Sequence, residues 1–125
     1  MAVTQKLIVI GLLLLATLAT GFLRSSSGIP FHAILVTVHK LLAVAWVIYA
    51  AVLVFHTARQ VEFKTAFFAA VAVLGVSIVA LFWSGSVLTM PQLATSAWLT
   101  LHRIASVFAV IAAAVTARLI LLIRQ

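Results

Sequence analysis

Four long apolar segments dominate the sequence, at roughly residues 7–23, 31–58, 65–84 and 94–123. Each is near or above the ~20 residues that a helix needs to cross a bilayer. Hydrophobic residues make up 66% of the chain and Glu62 is its only acidic residue, which excludes a water-soluble domain with a charged surface. Because lipid offers the backbone no hydrogen-bond partners, such segments form helices. The sequence predicts an all-α integral membrane protein, a single transmembrane domain in which four helices form a bundle.

The first segment has a second interpretation. Lys6, followed by the apolar run Leu7–Leu15 and by small residues such as Ala16 and Ala19, also resembles a secretory signal peptide. The third segment gives the first a counterpart in an internal repeat, and this favours a retained membrane helix.

The two halves of the chain resemble each other at an offset close to 63 residues, the separation of His39 and His102. The offset predicts a duplicated helical hairpin, with repeat one at 7–58 and repeat two at 65–123. A two-helix copy enters the membrane in the same direction as the original, so the repeats should be parallel and the two histidines should face each other. The aligned pairs are Gly11 with Gly75, Thr20-Gly21 with Ser84-Gly85, Pro30 with Pro91, and His39-Lys40 with His102-Arg103.

Turn-forming residues mark the ends of the hairpins. We expect one outer loop at Ser25–Pro30, a second outer loop formed by Ser84–Ser86 with Met90-Pro91, and an inner loop at Arg59–Lys64. Both prolines suit the first turn of the helix that follows.

The basic residues indicate membrane topology rather than nucleic-acid binding, because they lie scattered at segment ends. The outer side has Arg24 and an uncharged loop, Gly85–Thr95, so the positive-inside rule predicts that both termini are cytoplasmic, in a bacterial inner membrane. The basic residues on the inner side are Lys6, Arg59, Lys64, Arg118 and Arg124.

His39 and His102 are the candidate metal ligands, since an ionisable side chain inside the membrane is a functional candidate by default. The chain has no cysteine, which leaves histidine to hold a metal. Two imidazoles from different helices at one depth suit the six-coordinate iron of an electron-transfer haem. We expect one haem b per chain, held between the second and fourth helices.

Residues near each histidine could complete a haem site. Lys40 and Arg103 could bind the two haem propionates, or could extend to lipid phosphates instead. Gly21 and Gly85 could let a flat ring approach the backbone, although helix contacts alone would explain them.

Small residues follow His102 along its helix face, and the corresponding face of the second helix carries Ala43, Trp46 and Ala50. Such a face leaves space for a macrocycle, whose edge Trp46 could close, but ordinary packing of membrane helices favours small residues too. The small residues of the fourth segment are Ala105, Ser106, Ala109, Ala112, Ala113 and Thr116.

Two further histidines are interpreted as interfacial. His32 lies two turns outside His39 and could also contact a propionate or line a proton or quinone route. His56 has no histidine at the matching position of the other half, so a second haem there would need a symmetric homodimer.

The histidine pair, the paired glycines and the adjacent cations resemble b-type membrane cytochromes, including cytochrome b561-like and related four-helix haem proteins. This resemblance implies electron transfer near the outer face, with a quinone or another cytochrome as redox partner. Those families commonly carry two haems, whereas this chain has one matched histidine pair. The alternatives are a proton- or ion-relay carrier, a structural subunit of a larger membrane complex, and a haem-dependent quinol or superoxide oxidoreductase.

Overall fold

Four α-helices make up the protein in the computed structural model, which describes residues 2–26, 33–60 and 65–123. They are α1 (Val3–Ser26), α2 (Ala33–Ala58), α3 (Thr65–Val87) and α4 (Ser96–Ile123). No strand occurs within those ranges. The prediction of an all-α chain with four long apolar helices is confirmed.

Each helix is long and apolar enough to cross a membrane. The helices contain 24, 26, 23 and 28 residues, and every one has a mean hydropathy of at least 2.1 over its candidate span. At 1.5 Å per residue the lengths run from about 35 to 42 Å, against a hydrocarbon core of ~30 Å. Large apolar side chains such as Phe22, Ile34 and Val76 are more than 70% exposed, which suits a surface in contact with lipid.

The chain forms two compact units, Met1–Gln60 and Val61–Gln125. In the first, α1 packs against α2, and in the second, α3 packs against α4. Each unit is therefore a pair of helices that are consecutive in the chain, and the boundary between units falls between the two repeats predicted from the sequence.

The predicted start of the second outer loop is wrong, because α3 continues through Ser84–Ser86 to Val87 and the connection to α4 follows it. The Ser84 hydroxyl donates to the carbonyl of Ala80 at 2.6 Å, so this polar side chain is satisfied by its own helix. An apolar surrounding favours continuing the helix over releasing backbone groups. Ser25 and Ser26, predicted to begin the first outer loop, likewise belong to a helix, α1.

Pro91 also differs from its prediction, because it lies in the turn between α3 and α4 and α4 begins five residues later. The connection satisfies much of its own backbone, with the Leu93 and Ala94 amides both donating to the Met90 carbonyl at 3.0 Å. The matching Pro30 lies outside the described residues.

Candidate functional site

In the first unit, His39 of α2 contacts the neighbouring helix α1 through one ring nitrogen. Its Nδ1 lies 3.0 Å from the backbone carbonyl of Thr17 and 3.1 Å from the hydroxyl of Thr20. Thr17 and Thr20 are three residues apart on a helix, which places them on one face. The ring is half-buried, and α1 supplies both hydrogen-bonding groups.

In the second unit, His102 of α4 makes the corresponding contact with α3. Its Nδ1 lies 2.9 Å from the hydroxyl of Ser84, a side chain that is completely buried. Ser84 matches Thr20 in the alignment of the two halves, so a hydroxyl meets the same ring nitrogen in both units.

A glycine follows each of these hydroxyl residues and lies against the histidine ring. A methyl group built on Gly21 would lie 3.0 Å from Cε1 of His39, and one built on Gly85 would lie 3.3 Å from Cε1 of His102. At the other two repeated glycines, Gly11 and Gly75, such a group would meet nothing within 4 Å. The glycines predicted near a cofactor thus accommodate the imidazoles themselves.

We call each set of contacts a histidine cradle: Thr17, Thr20, Gly21 and His39 in the first unit, and Ser84, Gly85 and His102 in the second. The hydroxyls are held in place by their own helices, since Thr20 donates to the Ala16 and Thr17 carbonyls, both at 2.9 Å, and Ser84 donates to Ala80. Both cradles fix a ring by its Nδ1–Cε1 edge.

The sequence analysis missed the roles of Thr17, Thr20 and Ser84. The signal was present, because Thr20-Gly21 aligns with Ser84-Gly85, but the alignment alone does not show which helix face meets the histidine. The contact with the Thr17 carbonyl cannot be predicted from residue type, because every residue has a backbone carbonyl.

The predicted propionate-binding cations lie beside the histidines. Lys40 and Arg103 are both exposed, and each follows its histidine by one residue, about 100° around the helix. Arg24 was assigned only to the outer side, yet its side chain is buried, 9% exposed, one turn beyond Thr20 on α1. The first unit therefore carries a buried cation on the cradle's own helix.

Four of the six small residues predicted on this face of α4 are buried, as are Trp46 and Ala50 of α2, whereas Ser106, Ala113 and Ala43 are half-buried. Burial of this kind suits either helix packing or a cofactor. Ser106 donates to the His102 carbonyl at 2.7 Å, within its own helix. The buried residues of α4 are Ala105, Ala109, Ala112, Thr116 and Ile120.

Trp46 has a buried polar atom with no partner. Its side chain is 3% exposed, and Nε1 makes no hydrogen bond to the described part of the chain. A buried indole N–H usually has an acceptor. Trp46 follows His39 by seven residues and so lies on almost the same face of α2, two turns closer to the C-terminal end of that helix.

His56 is exposed in the last turn of α2, where its ring makes an edge contact with Phe55. The Arg59 guanidinium lies over the same Phe55 ring, 4.7 Å from its centre. This arrangement fits the predicted interfacial role. His32 lies outside the described residues.

Among residues 2–26, 33–60 and 65–123, no group of three or more histidine or acidic side chains could hold a metal ion. A haem with two axial histidines needs only two protein ligands. Each cradle brings together a histidine with the glycine predicted for it.

No protein-family model, curated protein or solved structure matches the chain.

Proposed function

We propose that the protein is a membrane-bound b-type cytochrome that binds one haem b through His39 and His102. The observation that carries the proposal is the repetition of the cradle, in which Nδ1 of each histidine contacts the neighbouring helix of its own unit. Coordination would then fall to Nε2, and metal-bound histidines usually have their second nitrogen hydrogen-bonded in this way.

The donor set fits haem better than a bare metal ion. Two neutral imidazoles suit haem iron, whereas structural zinc takes four protein ligands. Bound haem supplies one-electron redox chemistry.

The residues of the chain would divide the remaining work. His39 and His102 hold the iron, the cradles fix their rings, and Lys40 and Arg103 neutralise the propionates. The proposed haem site lies near the outer face.

The same proposal includes the orientation and the partners. The protein lies in a bacterial inner membrane with both termini on the cytoplasmic side. The distribution of basic residues supports this orientation. A quinone or another cytochrome exchanges electrons with the haem, and the protein is an electron carrier rather than a stand-alone enzyme.

The test is the absorption spectrum of detergent-purified protein, oxidised and then reduced with dithionite, after expression with added haem. The wild type should show a Soret band and split α and β bands at one haem per chain. His39→Ala and His102→Ala should each lose the six-coordinate low-spin spectrum, because each removes one axial ligand.

His56→Ala is the matched control, since it removes an imidazole from α2 outside the cradle, and its spectrum should be normal. A normal spectrum in either ligand variant would reject the assignment of that histidine. If the wild type binds no haem, the whole proposal fails.

The second candidate function is that of a structural subunit of a larger complex. It is favoured by the fact that both histidines hydrogen-bond to a neighbouring helix, an interaction that also holds haem-free membrane helices together. In that case His39→Ala and His102→Ala would weaken the hairpins while haem remained absent from every preparation.

A further inference from the structure

We propose that Thr20 and Ser84 are positioning residues that keep His39 and His102 protonated on Nδ1, so that each Nε2 presents its lone pair. The part of this proposal that concerns iron rests on the proposed function. The part that concerns the position of the proton does not, and it can be measured without haem.

Which ring nitrogen of His39 carries the proton follows from the donors and acceptors around Nδ1. A backbone carbonyl can only accept, so the 3.0 Å contact between Nδ1 and the Thr17 carbonyl requires a hydrogen on Nδ1. The Thr20 hydroxyl directs its own hydrogen to the Ala16 and Thr17 carbonyls, which leaves a lone pair towards Nδ1 at 3.1 Å. Both contacts assign the same tautomer.

His102 gives the same answer through its contact with the Ser84 side chain. The Ser84 hydroxyl has a single hydrogen, and its shortest contact is the 2.6 Å bond to the Ala80 carbonyl. Its oxygen is then an acceptor at 2.9 Å from Nδ1 of His102. The hydrogen in that contact must come from the imidazole.

The consequence for a metal ligand is direct. A neutral imidazole carries one ring hydrogen, so a hydrogen on Nδ1 leaves Nε2 as the coordinating atom. Donation from Nδ1–H also makes the ring a stronger ligand, which favours ferric over ferrous iron. A cradle hydroxyl therefore acts on the iron through the histidine and without touching it.

The first experiment uses the haem-free full-length protein in detergent, labelled with ¹⁵N and ¹³C at histidine, at a pH where imidazole is neutral. Nitrogen and Cδ2 chemical shifts distinguish the two tautomers. Both His39 and His102 should be predominantly Nδ1–H. In Ser84→Ala, the His102 signals should move towards a mixture of tautomers while His39 stays unchanged.

Thr20→Val should shift His39 less, because the Thr17 carbonyl still accepts from Nδ1. Ser84→Thr keeps a hydroxyl and should restore the wild-type pattern. Ser77→Ala is the matched control, since this hydroxyl donates to the Val73 carbonyl of its own helix at 2.8 Å. It should leave both imidazoles unchanged.

The second experiment measures haem affinity and midpoint potential in the same variants. Loss of an outer hydrogen bond to a metal-bound histidine typically weakens metal binding about 10- to 100-fold. We expect a loss of that size in Ser84→Ala, together with a raised midpoint potential, and recovery of both in Ser84→Thr.

A wild-type protein with either histidine mainly in the Nε2–H tautomer would overturn the inference, and this result needs no variant to fold. So would an unchanged His102 in a Ser84→Ala protein of normal helicity. If the wild type shows both Nδ1–H tautomers but takes up no haem, the proposed function fails and the positioning role stands.

Discussion

At the scale of single residues, the two cradles explain why four repeated glycines are not equivalent. Gly21 and Gly85 each follow a hydroxyl residue that contacts an imidazole, and a side chain at either position would press on that ring. Gly11 and Gly75 lie in open space. The sequence repeats all four, and only the structure separates the two that hold a histidine from the two that do not.

Gly21→Ala should move His39 and destabilise the first unit, because its new methyl group would lie 3.0 Å from Cε1. Overpacking of this kind costs about 1–3 kcal/mol. Gly85→Ala should cost less, since the corresponding distance is 3.3 Å. Thermal unfolding in detergent followed by circular dichroism measures both.

Gly11→Ala and Gly75→Ala are the controls, and they should be neutral or stabilising by up to about 1 kcal/mol, because a helical alanine loses less chain entropy on folding. Equal losses at all four positions would contradict the assignment of Gly21 and Gly85 to the histidines.

At the scale of helices, one face of α4 carries small residues at the spacing of successive turns. Ala105, Ala109 and Ala112 are all buried, while their neighbours Val107 and Phe108 are more than half exposed. Because apolar lipid gives two apolar helices little reason to associate, close approach of small residues supplies much of the contact. The buried face of α4 continues from the His102 cradle towards the C-terminal end of the helix.

Ala109→Leu should destabilise the protein by about 1–3 kcal/mol, since Ala109 is only 2% exposed and has no room for a larger side chain. Ala114→Leu makes the same change at an exposed position of the same helix and should have little effect. Unfolding midpoints of the two variants in the same detergent provide the comparison. Indistinguishable midpoints would show that this face of α4 is not tightly packed.

At the scale of the whole molecule, the proposed orientation in the membrane is based on the four helices and on the uneven distribution of basic residues. The turn after α3 has no charged residue between Leu88 and Thr95, whereas α2 ends beside Arg59. The proposed orientation therefore places Gln92 outside and Gln60 inside.

Single cysteines can test this orientation cleanly, because the chain contains none of its own. In intact cells whose outer membrane has been made permeable, Gln92→Cys should react with a membrane-impermeant thiol reagent and Gln60→Cys should not. Both residues are exposed, so disruption of the membrane should make both react. The opposite labelling pattern would reverse the topology.

How much of the fold and of the candidate site can be predicted from the sequence depends on the kind of feature. Hydrophobic runs of helical length predicted α1 to α4 because lipid leaves the backbone no alternative. Ser84–Ser86 misled the loop prediction, because serine and glycine are typical of turns in water but are accommodated within a membrane helix. The alignment found His39, His102 and their glycines, while the contact with the Thr17 carbonyl depends on helix rotation, which one sequence does not encode visibly.

Each histidine is close in sequence to the other residues of its cradle, and this has a consequence for biosynthesis. Thr17 and His39 are 22 residues apart and belong to one unit, so the first ligand can be oriented as soon as residues 1–60 have been made. Translation at ~5–20 residues per second reaches His102, 42 residues beyond Gln60, roughly 2–8 s later. Under the proposed function, the growing chain would carry one oriented histidine before the second had been made, so haem could not be held by both until the second unit had folded.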